Sequence, residues 1–232
     1  MLRRLIHLLV AGSLVAGLVG LWAIAGSAQT GNVAAACAAR LEGNTAETKA
    51  ENLAVIDKVI GVAPAAILTP LNDLKALITK KGSKGFETEA GSALLGQIDG
   101  YFYDNCSGTQ LPVTMIDYEF QGVPATLKPG LLKLKLTNSA PKEAHEMALF
   151  KLQPGVDTID LAKVFKLSDK KAAELIDFQS GTFAFAPSGQ TAYSIGELTP
   201  GKYVYACFIP QGGKKNGKPH FVLGMEGTLT VS

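Results

Sequence analysis

The spacing of apolar positions changes character twice along the chain. Leu8 to Ala25 is an uncharged run rich in Leu, Val, Ala and Gly, preceded by Met1-Leu2-Arg3-Arg4 and followed by Gly26-Ser27-Ala28. A positive start, an apolar middle and small residues at a cut are the marks of an export signal. Residues 1–28 are read as a signal peptide, with an uncleaved N-terminal anchor as the alternative, since the run is just long enough to span a bilayer. Beyond it, apolar residues recur at helical spacing. Asn44 and Glu47 stand as a capping box before a stripe of Leu53, Val55, Ile56, Val59 and Ile60. Thr69-Pro70 offers a cap and a first helical residue for 71–78. After a turn over 81–85, a third segment, 87–103, carries Leu94, Leu95, Ile98, Tyr101 and Phe102 on one face. A small helical bundle follows.

From Pro112 the period shortens to two. Residues 113–120 are rich in β-formers, and Leu132-Lys133-Leu134-Lys135-Leu136-Thr137 alternates strictly between apolar and polar. Further strands are expected over 146–152, 182–186, 192–195, 202–208 and 226–231, with Lys128-Pro129-Gly130, Pro187-Ser188-Gly189 and Thr199-Pro200-Gly201 as turns. Short strands at regular spacing argue for a β-sandwich. One stretch, 156–178, returns to helical spacing with a cap at Ser168-Asp169, and reads as a helical insertion between strands. The sequence thus divides into the signal (1–28), a small α-helical domain (29–110) and a β domain (111–232).

Charge narrows the partners. Residues 29–110 hold two more acids than bases, and 111–232 two more bases than acids. The basic residues are scattered without interleaved aromatics, which excludes a nucleic-acid surface. Export makes the three cysteines informative, because an odd thiol in an oxidising compartment must be accounted for. Cys37 and Cys106 bracket the helical segment and are read as a disulfide, leaving Cys207 as the thiol held back.

After residue 28 only two histidines remain, His145 and His220. The latter lies between Cys207 and Met225. Two imidazoles, a thiolate and a thioether are the donor set of a mononuclear electron-transfer copper. On the expected elements, His145 follows the strand ending near Asn138, Cys207 ends the strand that begins near Lys202, and His220 and Met225 precede the last strand. One end of the sandwich collects all four.

Over residues 111–232 the chain resembles the cupredoxin family, the plastocyanin and azurin type of blue-copper protein. The matching elements are Asn138 to His145, Leu198-Thr199-Pro200-Gly201-Lys202-Tyr203 before Cys207, and His220-Phe221-Val222-Leu223-Gly224-Met225 before the final strand. It is also similar to secreted bacterial cupredoxin-like proteins carrying His-Glu and Cys-Phe-x-Pro, here His145-Glu146 and Cys207-Phe208-Ile209-Pro210. The resemblance implies a mainly β chain: a Greek-key β-sandwich with a helical insertion, preceded by the disulfide-stapled helical domain. It further implies a type 1 copper with His145, Cys207 and His220 as equatorial ligands and Met225 as the weak axial one. Two positions depart from the family. Phe208 to Pro219 is a long loop where the family has a short one, and Glu146 stands where Asn is common, a carboxylate that would favour Cu(II) if it faced the metal.

The expected function is one-electron carriage in the periplasm, outside the cell or on the outer face of the membrane, with no enzyme activity. The histidines left are too few for the catalytic copper of a nitrite reductase or multicopper oxidase. An acidic redox partner would dock near an exposed edge of His220, on a rim of Ile209, Pro219 and Phe221 beside Lys214, Lys215 and Lys218. The alternative is a cupredoxin-like module that no longer binds metal and serves in interaction.

Overall fold

The computed structural model describes residues 31–232, so the signal segment lies outside the described residues. Four helices open the described residues: α1 (Val33–Leu41), α2 (Lys49–Val62), α3 (Ala65–Lys81) and α4 (Glu89–Asn105). Helix α1 was not foreseen, although Asn32 caps it by accepting from the Ala35 N–H at 3.0 Å. The capping box before α2 is Thr48 with Glu51, one turn later than Asn44 with Glu47. Asn44 instead donates to the Ile195 carbonyl at 2.8 Å. Helix α3 starts at Ala65, ahead of Pro70, which is buried inside its second turn. The bundle closes on Cys37–Cys106, the expected disulfide, which spans 69 residues. A partly buried pair backs it, Arg40 Nε and Nη2 donating to both Asp99 oxygens at 2.7 and 2.9 Å.

The remainder forms nine strands: β1 (Thr109–Ile116), β2 (Glu119–Gln121), β3 (Thr126–Leu127), β4 (Gly130–Asn138), β5 (His145–Leu152), β6 (Ile176–Ala186), β7 (Thr191–Leu198), β8 (Gly201–Ala206) and β9 (Glu226–Val231). One sheet runs β2-β1-β4-β7 and the other β3-β9-β8-β5-β6. The chain crosses between them at every connection except β1 to β2, β5 to β6 and β8 to β9, a Greek-key sandwich as expected. Residues 113–120 do not form one strand. The chain reverses at Asp117–Tyr118, where Tyr118 takes φ 64°, and β2 pairs back on β1. The insertion holds two short helices, α5 (Leu161–Val164) and α6 (Asp169–Ala173), the second capped by Ser168 as foreseen.

Both sheets are covered on their outer faces. Leu132, Leu134 and Leu136 of β4 point into the sandwich core with Met147, Leu149 and Tyr203. The opposite face of β4 and β7 presents Leu131 and Ile195 to the helical bundle, which takes them into its own core. One of the lysines that made β4 look half-buried is caught underneath: Lys133 is 5% exposed and donates to the Cys106 carbonyl at 2.8 Å. On the far side, α5 and α6 pack Leu161, Val164 and Ala172 on Ala148, Phe150 and Val204 of the second sheet. Strand β5 is therefore buried along nearly its whole length.

Two losses in the bundle are expected to be measurable by urea unfolding. Replacing both Cys37 and Cys106 by Ser should lower stability by about 4 kcal/mol through the freed unfolded chain. Asp99→Asn should cost about 3 kcal/mol by leaving the Arg40 guanidinium buried with half a partner.

Candidate metal centre

Two neighbouring strands and one turn bring the donors together. His145 opens β5, Cys207 directly follows β8, which pairs with β5, and His220 begins a 3₁₀ turn, His220–Leu223, leading into β9. His145 Nδ1 lies 3.0 Å from His220 Nδ1, and Cys207 Sγ lies 3.4 Å from His220 Nδ1 and 3.9 Å from His145 Nδ1. All three residues are 0% exposed. Among the described residues they are the one group of His, Cys, Asp or Glu side chains close enough to hold a metal ion together.

The long loop folds back as a hairpin. His220 N–H donates to the Ile209 carbonyl and Gln211 N–H to the Lys218 carbonyl, each at 2.9 Å, and Pro210 bridges Pro219. Phe221 N–H then donates to the Cys207 carbonyl at 2.9 Å. Met225 is buried, donates its N–H to the His220 carbonyl and accepts from the Cys207 N–H, both at 3.0 Å. Its main chain is thereby tied to two of the other candidate ligands. Gly224, at φ 108°, makes the turn that allows this. The residues after Cys207 and His220 turn the other way: Phe208 and Phe221 pack on Phe165 of the insertion, with ring centroids 5.4–5.5 Å apart.

Glu146 does not face the donors. It stands on the opposite face of β5 from His145, is 3% exposed, and accepts from the Phe208 N–H at 3.1 Å. Burial pushes its carboxyl up to about 7, with the Phe208 N–H working against the rise. The apolar rim expected around His220 is covered except at Pro219, which is half-buried. Ile209 and Phe221 are buried, whereas Lys214, Lys215 and Lys218 are exposed. The edge of His220 meets Tyr118, whose ring stands edge-on at 5.0 Å, and Glu143, whose Oε2 is 2.7 Å from Nε2.

Asp117, Tyr118 and Glu143 were not singled out by the sequence. Asp117 and Tyr118 read as strand, and only an acid inside a run of β-formers hinted at a turn. Asn138 holds Glu143 in place, being 1% exposed and donating to the Glu143 and Ala186 carbonyls while accepting from the Ala140 N–H, each at 2.9 Å.

The donors suit a cation. Donors about 2.0–2.3 Å from one ion in a tetrahedral arrangement lie roughly 3.3–3.8 Å from each other; the two sulfur–nitrogen separations, 3.4 and 3.9 Å, are close to this range and the nitrogen–nitrogen one, 3.0 Å, is slightly shorter. Burial lowers both imidazoles, and the His145 value is depressed further by His220, so each is neutral and carries a lone pair. Burial, followed by the charge of Glu146, pushes the Cys207 thiol far up. Such a thiol yields its proton to a bound cation and little else. His145 Nε2 is the one buried side-chain nitrogen or oxygen among the described residues without a hydrogen bond, with Asp117 Oδ1 at 3.6 Å. If Nδ1 binds metal, that Nε2 carries the proton and faces the carboxylate.

Compared with known proteins, the sequence matches no family model and no curated protein. Solved structures that it resembles include reduced auracyanin from the photosynthetic bacterium Roseiflexus castenholzii, at 18% identity and a TM-score of 0.37, covering 54% of this chain and 98% of that one. Rusticyanin from Thiobacillus ferrooxidans matches at 22% identity and a TM-score of 0.32, over 54% of this chain and 79% of its own. The copper nitrite reductase of Nitrosomonas europaea matches at 17% identity and 0.30, over 53% of this chain and 41% of its own. The chemistry of the centre rests on the donor geometry.

Asn138→Ala removes three bonds from a buried position. It is expected to cost about 2–3 kcal/mol in thermal or urea unfolding and to loosen the 139–144 approach to His145.

Proposed function

We propose that the protein is an exported one-electron carrier that holds a single type 1 copper through His145, Cys207 and His220, with Met225 as the weak fourth donor. The observation that carries the reading is a buried thiol and two buried imidazoles whose donor atoms converge within 4.8 Å. When bound, copper supplies one-electron exchange between Cu(I) and Cu(II), and mixed nitrogen and sulfur donors suit both states. The chain contributes rigidity: Cys207, His220 and Met225 are linked to one another by main-chain bonds, so the donors move little when the charge changes. Zinc would accept the imidazoles and the thiolate, but a thioether serves it poorly.

Carriage rather than catalysis is supported by the seal over the site. All four side chains are 0% exposed, so a substrate would have no path to a metal among them. Export is supported by the Cys37–Cys106 disulfide, which persists in oxidising compartments. No helix among the described residues is long and apolar enough to cross a membrane. The proposed partner is an acidic redox protein steered by the exposed Lys214, Lys215 and Lys218 on the loop beside His220.

The purified protein is expected to bind copper in a one-to-one ratio and, oxidised, to show an intense visible thiolate-to-copper band. A colourless, copper-free product after reconstitution would overturn the carrier and leave the metal-free interaction module. Cys207→Ser should abolish the band. Met225→Leu should keep the copper and raise its potential in voltammetry, since weaker axial donation favours Cu(I); an unchanged spectrum for Cys207→Ser would refute the ligand assignment.

A further inference from the structure

The geometry points to Glu143 as the positioning residue of His220, fixing which nitrogen of that ring faces the donor cluster and fastening the long loop over it. The inference rests on the copper reading for its consequence at the metal, while its structural part stands without it. An imidazole offers its Nδ1 lone pair inward only if the proton is on Nε2, and that tautomer is set by what Nε2 meets. Here Nε2 meets Glu143 Oε2 at 2.7 Å, while Nδ1 lies 3.4 Å from Cys207 Sγ. A carboxylate only accepts, so the Nε2–H donates outward and Nδ1 is left free.

The same carboxylate is held from two further sides. Oε2 also accepts from the Gly212 N–H at 3.0 Å, and Oε1 accepts from the Tyr118 hydroxyl at 3.1 Å. Gln211 Nε2 donates to that hydroxyl at 2.9 Å. Glu143 thus joins three separate segments: the 139–144 loop anchored by Asn138, the β1–β2 turn, and the loop between Cys207 and His220. That last loop is long and rich in glycine, and its hairpin bonds alone do not orient the ring at its end. Glu143 does so with a charged acceptor, and places a carboxylate where the edge of His220 would otherwise meet the surface.

The test uses the whole purified protein with Glu143→Ala and Glu143→Gln, each checked for folding by circular dichroism. Long-range ¹⁵N–¹H spectra of the histidine side chains, recorded without metal, are expected to show His220 protonated on Nε2 in the wild type and in Glu143→Gln, whose amide oxygen still accepts. In Glu143→Ala the signals should shift to a mixture of tautomers. Copper affinity by chelator competition should fall by roughly 10–100-fold in Glu143→Ala and by a few-fold at most in Glu143→Gln. The copper potential of Glu143→Gln should rise, since the negative charge beside the imidazole is gone. A wild type protonated on Nδ1, or a Glu143→Ala protein with an unchanged tautomer, overturns the positioning role. Should Glu143→Ala fail to fold, the wild-type tautomer and the Glu143→Gln potential still decide. A wild type with the expected tautomer and no affinity for copper would refute the carrier and leave the positioning role standing.

Discussion

Everything at the loop end of the sandwich answers to one constraint: a thiol and two imidazoles are packed together out of contact with water. Polar groups removed from solvent are costly unless each finds a partner. Around His220 the requirement is met by Glu143, and around the Cys207 backbone by Phe221 and Met225. At His145 Nε2 it is left unmet, with Asp117 the nearest acid. The three side chains satisfy one another only partly, while the main chains of Cys207, His220 and Met225 are bonded to one another, so an ion could be held between them.

Such a site needs a frame that does not yield, and the frame is built by burying the sheets on both sides. The helical bundle lies on the outer face of β4 and β7, drawing Leu131 and Ile195 into its core. The insertion lies on the outer face of β5 and β8 and receives Phe208 and Phe221. Each of these phenylalanines directly follows a donor residue. Packing of Phe208 on one side of the sheet therefore sets the direction of Cys207 on the other, because successive side chains of an extended chain point to opposite faces, while Phe221 fastens the 3₁₀ turn that carries His220 to the insertion. The insertion is a part of the site's support, and the presence of Phe rather than a smaller residue after Cys207 has a packing reason.

The helical segment and the sandwich share one apolar interface even though their compositions differ. Lys133 illustrates the coupling: its charge reaches the Cys106 carbonyl at the end of α4, within the turn closed by the disulfide. Fixing the end of α4 fixes the start of β1, which follows it by four residues.

Local pattern was enough for much of this. The switch from helical to alternating period, the turn residues and the order His, Cys, His, Met are properties of neighbouring residues, and they specified the sandwich, the insertion and the disulfide and singled out His145, Cys207 and His220, which the fold brings together. Helix boundaries were less legible. Asn44 and Pro70 each resemble a start signal, and each was overruled, Asn44 by a hydrogen bond to β7 and Pro70 by burial inside a longer helix. What only the tertiary structure decided is how side chains far apart in sequence meet. Glu143 lies 77 residues from His220, Tyr118 lies 93 from Gln211, and Glu146 turned out to face away from the donors beside it in sequence. Periodicity reports which face of an element is apolar. Which carboxylate caps which imidazole depends on how loops from different elements converge, and no spacing along the chain encodes that.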